Sequence, residues 1–179
     1  YLKHKQLLDA FNKKLDLSFT KSKKPILFNF NNQITGDTII LKFEKTTNKI
    51  DSLVVFNNAF IIEKDTLGAG FNQISGKLLQ GKFYDNELKT IDIIKNAESI
   101  YYLRNDKKEL VTIDKSKSAK LKIFFNLTEI EKIQKINQID GKTYPEEEFT
   151  ENIQLLKGFN NRLNEKILSI NELFKLEKE

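Results

Sequence analysis

Ile34-Thr35-Gly36-Asp37-Thr38-Ile39-Ile40-Leu41-Lys42-Phe43 returns about 40 residues later as Ile74-Ser75-Gly76-Lys77-Leu78-Leu79-Gln80-Gly81-Lys82-Phe83. Each copy then runs through an apolar stretch, Leu53 to Phe56 or Ile91 to Ile94, and closes at Asn58-Ala59-Phe60-Ile61-Ile62 or Asn96-Ala97-Glu98-Ser99-Ile100. A weaker third copy passes from Ser118 through Leu121, Ile123 and Phe125 to Ile133 and Ile136. A period of this size predicts stacked supersecondary units, each burying its apolar face against its neighbours or a ligand. What repeats is a pair of strands: Ile39, Leu41 and Phe43 alternate with Ile40 and Lys42, and Leu79, Gly81 and Phe83 alternate with Gln80 and Lys82, the period of two that puts each set on one sheet face.

Around these strands lie turn formers. Polar hairpin turns are expected at 45–49, 85–87 and 105–108, and a flexible hairpin loop at Gly68-Ala69-Gly70. Gly36 and Gly76 occupy equivalent places inside strands, where glycine weakens a strand unless the backbone bends or is closely approached. Asn58-Ala59 and Asn96-Ala97 interrupt each second strand, which predicts a bulge or corner turning it into a second layer. The first twenty residues read as strands, the tail of an earlier repeat. After Tyr144-Pro145 the pattern changes. Glu146-Glu147-Glu148 suits a first helical turn, and Phe149, Ile153, Leu156, Leu163, Ile167, Ile170 and Phe174 recur at helical spacing, broken near Gly158. The expected organisation is a β-repeat domain over 1–144, with 1–24 the end of a truncated earlier repeat, and a C-terminal helical segment over 145–179.

Composition narrows the chemistry. The chain has 179 residues, no cysteine and a single histidine, His4, so thiolate metal sites, disulfides and a nucleophile paired with a histidine base are poorly supplied. Asp51 and Asp92 recur at equivalent places, which a repeated strand explains better than a catalytic pair. The acidic triplet at 146–148 lacks the spaced oxygen ligands and glycine of a calcium loop. We expect no catalytic residue, no metal and no cofactor. The net charge of +5 is carried by lysine, with arginine only at 104 and 162. Readers of nucleic acid rely on arginine's planar fork, so the charge reads as a solvated surface and no nucleic-acid partner is expected. No apolar run approaches the roughly 18 residues a membrane-spanning helix needs. A start at Tyr1 and the absence of methionine suggest a piece of a longer protein.

The blocks Gln33-Ile34-Thr35-Gly36-Asp37-Thr38-Ile39, Asp51-Ser52-Leu53, Phe71-Asn72-Gln73-Ile74-Ser75-Gly76-Lys77, Asn96-Ala97-Glu98-Ser99-Ile100-Tyr101-Tyr102 and Leu156-Lys157-Gly158-Phe159 resemble, in order and spacing, the OstA-like (LptA-like) family in its Bacteroidetes form. Lys24-Pro25-Ile26-Leu27-Phe28 resembles the family's segment before the repeat, whereas Arg162 is followed by Leu-Asn-Glu-Lys rather than the arginine-proline ending of these relatives. The resemblance implies a mainly β, curved antiparallel β-jellyroll (β-taco) built from ~40-residue repeats. It implies non-enzymatic binding of lipopolysaccharide or lipid A and its transport across the periplasm. Partners would be other lipopolysaccharide-transport proteins, or a second copy, joined by edge-strand pairing. The expected groove lining is Ile39, Leu41, Phe43, Leu53, Val55, Leu79, Phe83, Ile91, Ile93, Ile100, Tyr102, Leu121, Ile123 and Phe125. Lys42 and Lys82 lie in phase on the opposite face. The alternative reading is a structural or protein-binding β module acting through its edge strands.

Overall fold

The computed structural model describes residues 16–18, 24–29, 32–126 and 129–167. The chain is mainly β, a single open antiparallel sheet. Its strands are β1 (Asp16–Ser18), β2 (Ile26–Asn29), β3 (Asn32–Thr35), β4 (Thr38–Phe43), β5 (Ile50–Lys64), β6 (Phe71–Tyr84), β7 (Glu87–Arg104), β8 (Leu110–Asn126), β9 (Glu129–Ile136) and β10 (Asp140–Tyr144). The order is β1-β2-β3-β5-β6-β7-β8-β10, with β4 also on β5 and β9 also on β8. Four long central strands therefore belong to two half-sheets at once. One half runs β4-β5-β6-β7-β8-β9, and the other continues the same central strands between β3 and β10.

The bend between the halves has a residue-level cause. Between Phe56↔Leu78 and Ala59↔Gly76, Asn57 and Asn58 stand opposite Lys77 alone; between Ile94↔Lys120 and Ala97↔Ser118, Lys95 and Asn96 stand opposite Ala119 alone. All four inserted residues have positive φ, a region that asparagine tolerates better than most residues. Such two-against-one bulges kink the strand and sharpen its twist. They also set phase. Two residues inserted in β5 and β7 preserve the alternation, so Leu53, Val55, Ala59 and Ile61 all face the interior; one residue in β6 and β8 reverses it, so Leu79 and Ile74 share that interior despite opposite parity. Gly36 and Gly76 sit on this line because the neighbouring strand is too close for a side chain. A Cβ on Gly36 would overlap the Val55 Cγ1 methyl, and one on Gly76 the Ile93 Cγ2 methyl.

The C-terminal segment departs from expectation. Among the described residues, 145–167 forms no continuous helix but an extended strap with 3-10 turns at Glu146–Glu148, Glu151–Ile153 and Leu163–Glu165; residues 168–179, with Ile170 and Phe174, lie outside the described part. Phe149, Ile153 and Leu156 of the expected helical stripe are anchors dropped separately onto the sheet, and with Phe159 they pack on Phe60, Ile62, Ile100 and Ile113. Side chains of the sheet take over the backbone partners a helix would supply. Gln73 Nε2 donates to the Gln154 carbonyl (2.7 Å) while its Oε1 accepts from Leu156 N–H (2.8 Å). Gln33 does the same with the Asn160 carbonyl (2.7 Å) and Arg162 N–H (2.7 Å), and Lys115 Nζ donates to the Ile153 carbonyl at 2.7 Å. Each glutamine acts as a peptide unit of a missing strand, which satisfies both its own buried amide and the strap.

Two outcomes follow. Gly76→Ala should destabilise the fold by about 1–3 kcal/mol through overpacking, and combining it with Ile93→Ala, which removes the obstructing methyl, should cost less than the sum of the two single changes in a denaturant-midpoint cycle. Gln73→Ala should cost about 1–3 kcal/mol by stranding buried backbone groups and accelerate hydrogen exchange at the Leu156 amide; unchanged exchange there would mean that apolar anchoring alone holds the strap.

Candidate functional site: the interior between the two half-sheets

The facing surfaces of the two halves enclose one apolar cluster. From the expected lining it holds Leu53, Val55, Leu79, Ile91, Ile93, Leu121 and Ile123 as buried members, with Ile39, Leu41, Phe43, Phe83 and Phe125 half-buried around them. Register explains the grouping: Leu41, Leu53, Gly81, Ile91, Ile123 and Ile133 form one continuous cross-sheet row, and Ile39, Val55, Leu79, Ile93 and Leu121 form the next. The opposing half contributes Leu27, Ile34, Ile61 and Ile74.

Ile100 and Tyr102 do not join them. Both belong to the second cluster, beneath the strap, where Tyr102 meets Phe149 edge-on at 6.0 Å between ring centroids. The bulge at Lys95-Asn96 keeps the phase of β7, so the odd-numbered Ala97 and Ser99 continue the inner face and the even-numbered residues turn outward. Grouping Ile100 and Tyr102 with Ile91 and Ile93 would need an odd number of inserted residues at this corner, and the corner inserts two.

The inner face is also less uniform than the sequence suggests. On its β7–β8 side, Ser99 and Ser116 are buried with their hydroxyls 3.0 Å apart, and Ser116 Oγ donates to Asp114 Oδ1 at 2.9 Å. Lys135 of β9 reaches the same carboxylate oxygen at 2.6 Å. Asp114 belongs to the half that pairs with β10 and Lys135 to the half that ends in β9, so this ion pair clasps the two halves. The signal in the sequence is slight: Ser116 and Ser118 flank Lys117 in the weakest of the repeats.

A cleft of about 600 Å³ opens beside the clasp. Strand ends carrying Glu63, Tyr101, Leu103 and Arg104 bound it on one side, and Ile130, Lys132 and Ile133 of β9 on the other. Ile130 and Ile133 pack on the apolar cluster, which places the cleft at the margin of the interior. Its far wall is cross-linked by polar and close contacts: Arg104 Nη2 donates to Asp65 Oδ2 at 2.5 Å, Asp65 Oδ1 accepts from Leu67 N–H, and Gly70 lies so close to the Tyr102 phenol that a Cβ would overlap it. Burial raises the Glu63 carboxyl above its ordinary pKa, against the opposing effect of the Asn72 amide, which donates to it at 2.9 Å; the Asp65 carboxylate adds a smaller upward push. Among the described residues, no group of three or more His, Cys, Asp or Glu is placed to hold a metal ion.

A carboxyl whose pKa is higher folded than unfolded binds its proton more tightly in the native state. Its stabilising contribution is present below the unfolded value and is lost as pH rises toward the folded one. Glu63→Gln keeps an acceptor for Asn72 and removes the charge, so the variant should be more stable than wild type at neutral pH and lose part of the decline in stability above the ordinary carboxylate range. Urea midpoints measured across mildly acidic to neutral pH check this; parallel curves for the two proteins would remove Glu63 as the cause. No family model, curated protein or solved structure matches this chain.

Proposed function

We propose that the protein binds the acyl chains of lipopolysaccharide or lipid A between its two half-sheets and passes them on without chemistry, in the periplasm. In this reading the bent sheet is a β-taco jellyroll whose ~40-residue units are the repeats seen in the sequence. What carries the proposal is the interior itself: two facing apolar surfaces continuous along the sheet and joined through bulged strands, with half-buried Ile39, Leu41, Phe43, Phe83, Leu88, Phe125, Ile130 and Ile133 around the buried residues. A non-directional lining accepts a flexible chain in any register. Among the described residues β4, β9 and β10 each pair on one side only, leaving edges to which another transport protein or a second copy can add a strand.

Magnitudes set the condition for loading. Leu53, Val55, Leu79 and Ile93 are at most 1% exposed, so the facing surfaces lie closed on one another. Exposing four such side chains costs on the order of 6–12 kcal/mol, and burying about a dozen methylenes returns roughly 10 kcal/mol. Parting the halves is therefore affordable only with an acyl chain of that length in place. The same closure favours a second reading, a protein-binding module whose interior is simply its core and whose edges do the work.

Native mass spectrometry with lipid A separates the two. The lipid reading expects saturable binding that is lost in a Leu41→Asp, Phe83→Asp variant confirmed to be folded by circular dichroism. Absence of binding by the wild-type protein, with its edges free, would leave the edge-strand module.

A further inference from the structure

The outer face of the half-sheet that carries the interior lining is covered by no described element, and its register sorts charge from apolar surface. In one row remote from the bend, Lys42, Ser52, Lys82, Thr90, Phe124 and Lys132 are cross-strand neighbours in succession. The next row brings Ile40, Val54, Gln80, Asp92 and Lys122 together, and the row at the bend brings Phe56, Leu78, Ile94 and Lys120. Six strands at about 4.8 Å spacing make the face roughly 24 Å wide.

Within these three rows charge is one-sided; the exposed Asp51 and Glu131 fall at register shifts beside them. Asp92 is the acidic residue of these rows, and Lys120 lies 2.8 Å from it. No ion pair among the described residues involves Lys42, Lys82, Lys122 or Lys132. Lys122 and Lys132 instead converge on the Phe124 ring, 5.3 and 5.7 Å from its centroid. Beside these cations the apolar band is open to solvent, with Ile40 41% and Phe56 43% exposed. A solvated sheet face would be expected to alternate lysine with glutamate and to keep phenylalanine covered.

We propose that this face docks on the surface of an anionic lipid bilayer. Charge complementarity selects the occupant. The cations are lysines, point charges on flexible stems that lie along apolar surface while the ammonium reaches outward. They stand around an exposed apolar band on an open sheet face, which suits a plane of mobile anionic headgroups over hydrocarbon rather than one defined acidic protein. The surface lies on the opposite side of the half-sheet from the interior, so it holds whatever the interior binds.

Co-sedimentation with phosphatidylcholine–phosphatidylglycerol vesicles, against pure phosphatidylcholine vesicles, tests the assignment. Wild-type protein should partition onto the anionic vesicles and be released by salt. Replacing Lys42, Lys82, Lys122 and Lys132 by glutamine should lower partition more than a hundredfold, at about fivefold per lysine, while circular dichroism shows the fold retained and the lost Lys122 and Lys132 contacts with the Phe124 ring lower the melting temperature only modestly. Phe56→Ser should weaken partition further without altering its salt dependence. Lys107→Gln with Lys108→Gln, on a hairpin away from the face, should leave partition within a factor of about three. The proposal is overturned if wild-type protein stays in solution with anionic vesicles, if the hairpin control loses as much as the four-lysine variant, or if soluble polyglutamate is bound while the vesicles are not.

Discussion

The line of bulges across the four central strands is the constraint on which the rest of the structure depends. Hydrogen-bonded strands of 14 to 18 residues would otherwise form one twisted ribbon with both faces wet. Inserting Asn57-Asn58 and Lys95-Asn96 against single residues bends every strand at the same level. The inner surfaces then meet and expel water from one another, and the outer surfaces become separate faces with separate fates. Positive φ at these sites costs little with asparagine. Close strand approach there requires glycine at 36 and 76, where Val55 and Ile93 fill the space a side chain would take.

The two half-sheets are not equivalent. One is braced on its outer face by the strap, whose backbone is held by Gln33, Gln73 and Lys115 and whose Phe149 and Leu156 are buried. Arg162, also buried, ties the strap's far end to the start of β2 through the Lys24 carbonyl and carries Glu165 as a bidentate partner. Among the described residues the other half has no such cover, and it carries the half-buried rim of the interior. The Asp114–Lys135 ion pair joins the two halves across their inner surfaces, and most of what the halves share there is apolar contact.

Much of the fold is legible in the residues, for identifiable reasons. Strand alternation at 39–43, 79–83 and 121–125 depends only on local pattern, and so do the bulges announced by Asn58-Ala59 and Asn96-Ala97. The strap is not legible in this way, because Phe149, Ile153 and Leu156 have the same spacing whether they share a helix face or are pressed one by one onto a sheet. Ile100 and Tyr102 were misassigned because a corner's effect on phase depends on how many residues it inserts, two in β7 and one in β6, which only pairing reveals.

The sequence by itself determined the strands, their corners and the glycines at those corners, since each rests on residue type and near-neighbour spacing. Tertiary structure alone decided which faces meet. It brought Gln33 and Gln73 onto backbone more than 80 residues away, joined Asp114 to Lys135 across the two halves, and aligned Lys42, Lys82 and Lys132 in one row. The reason is that long-range register is fixed by the summed burial of the whole sheet, and no local stretch of chain contains that sum.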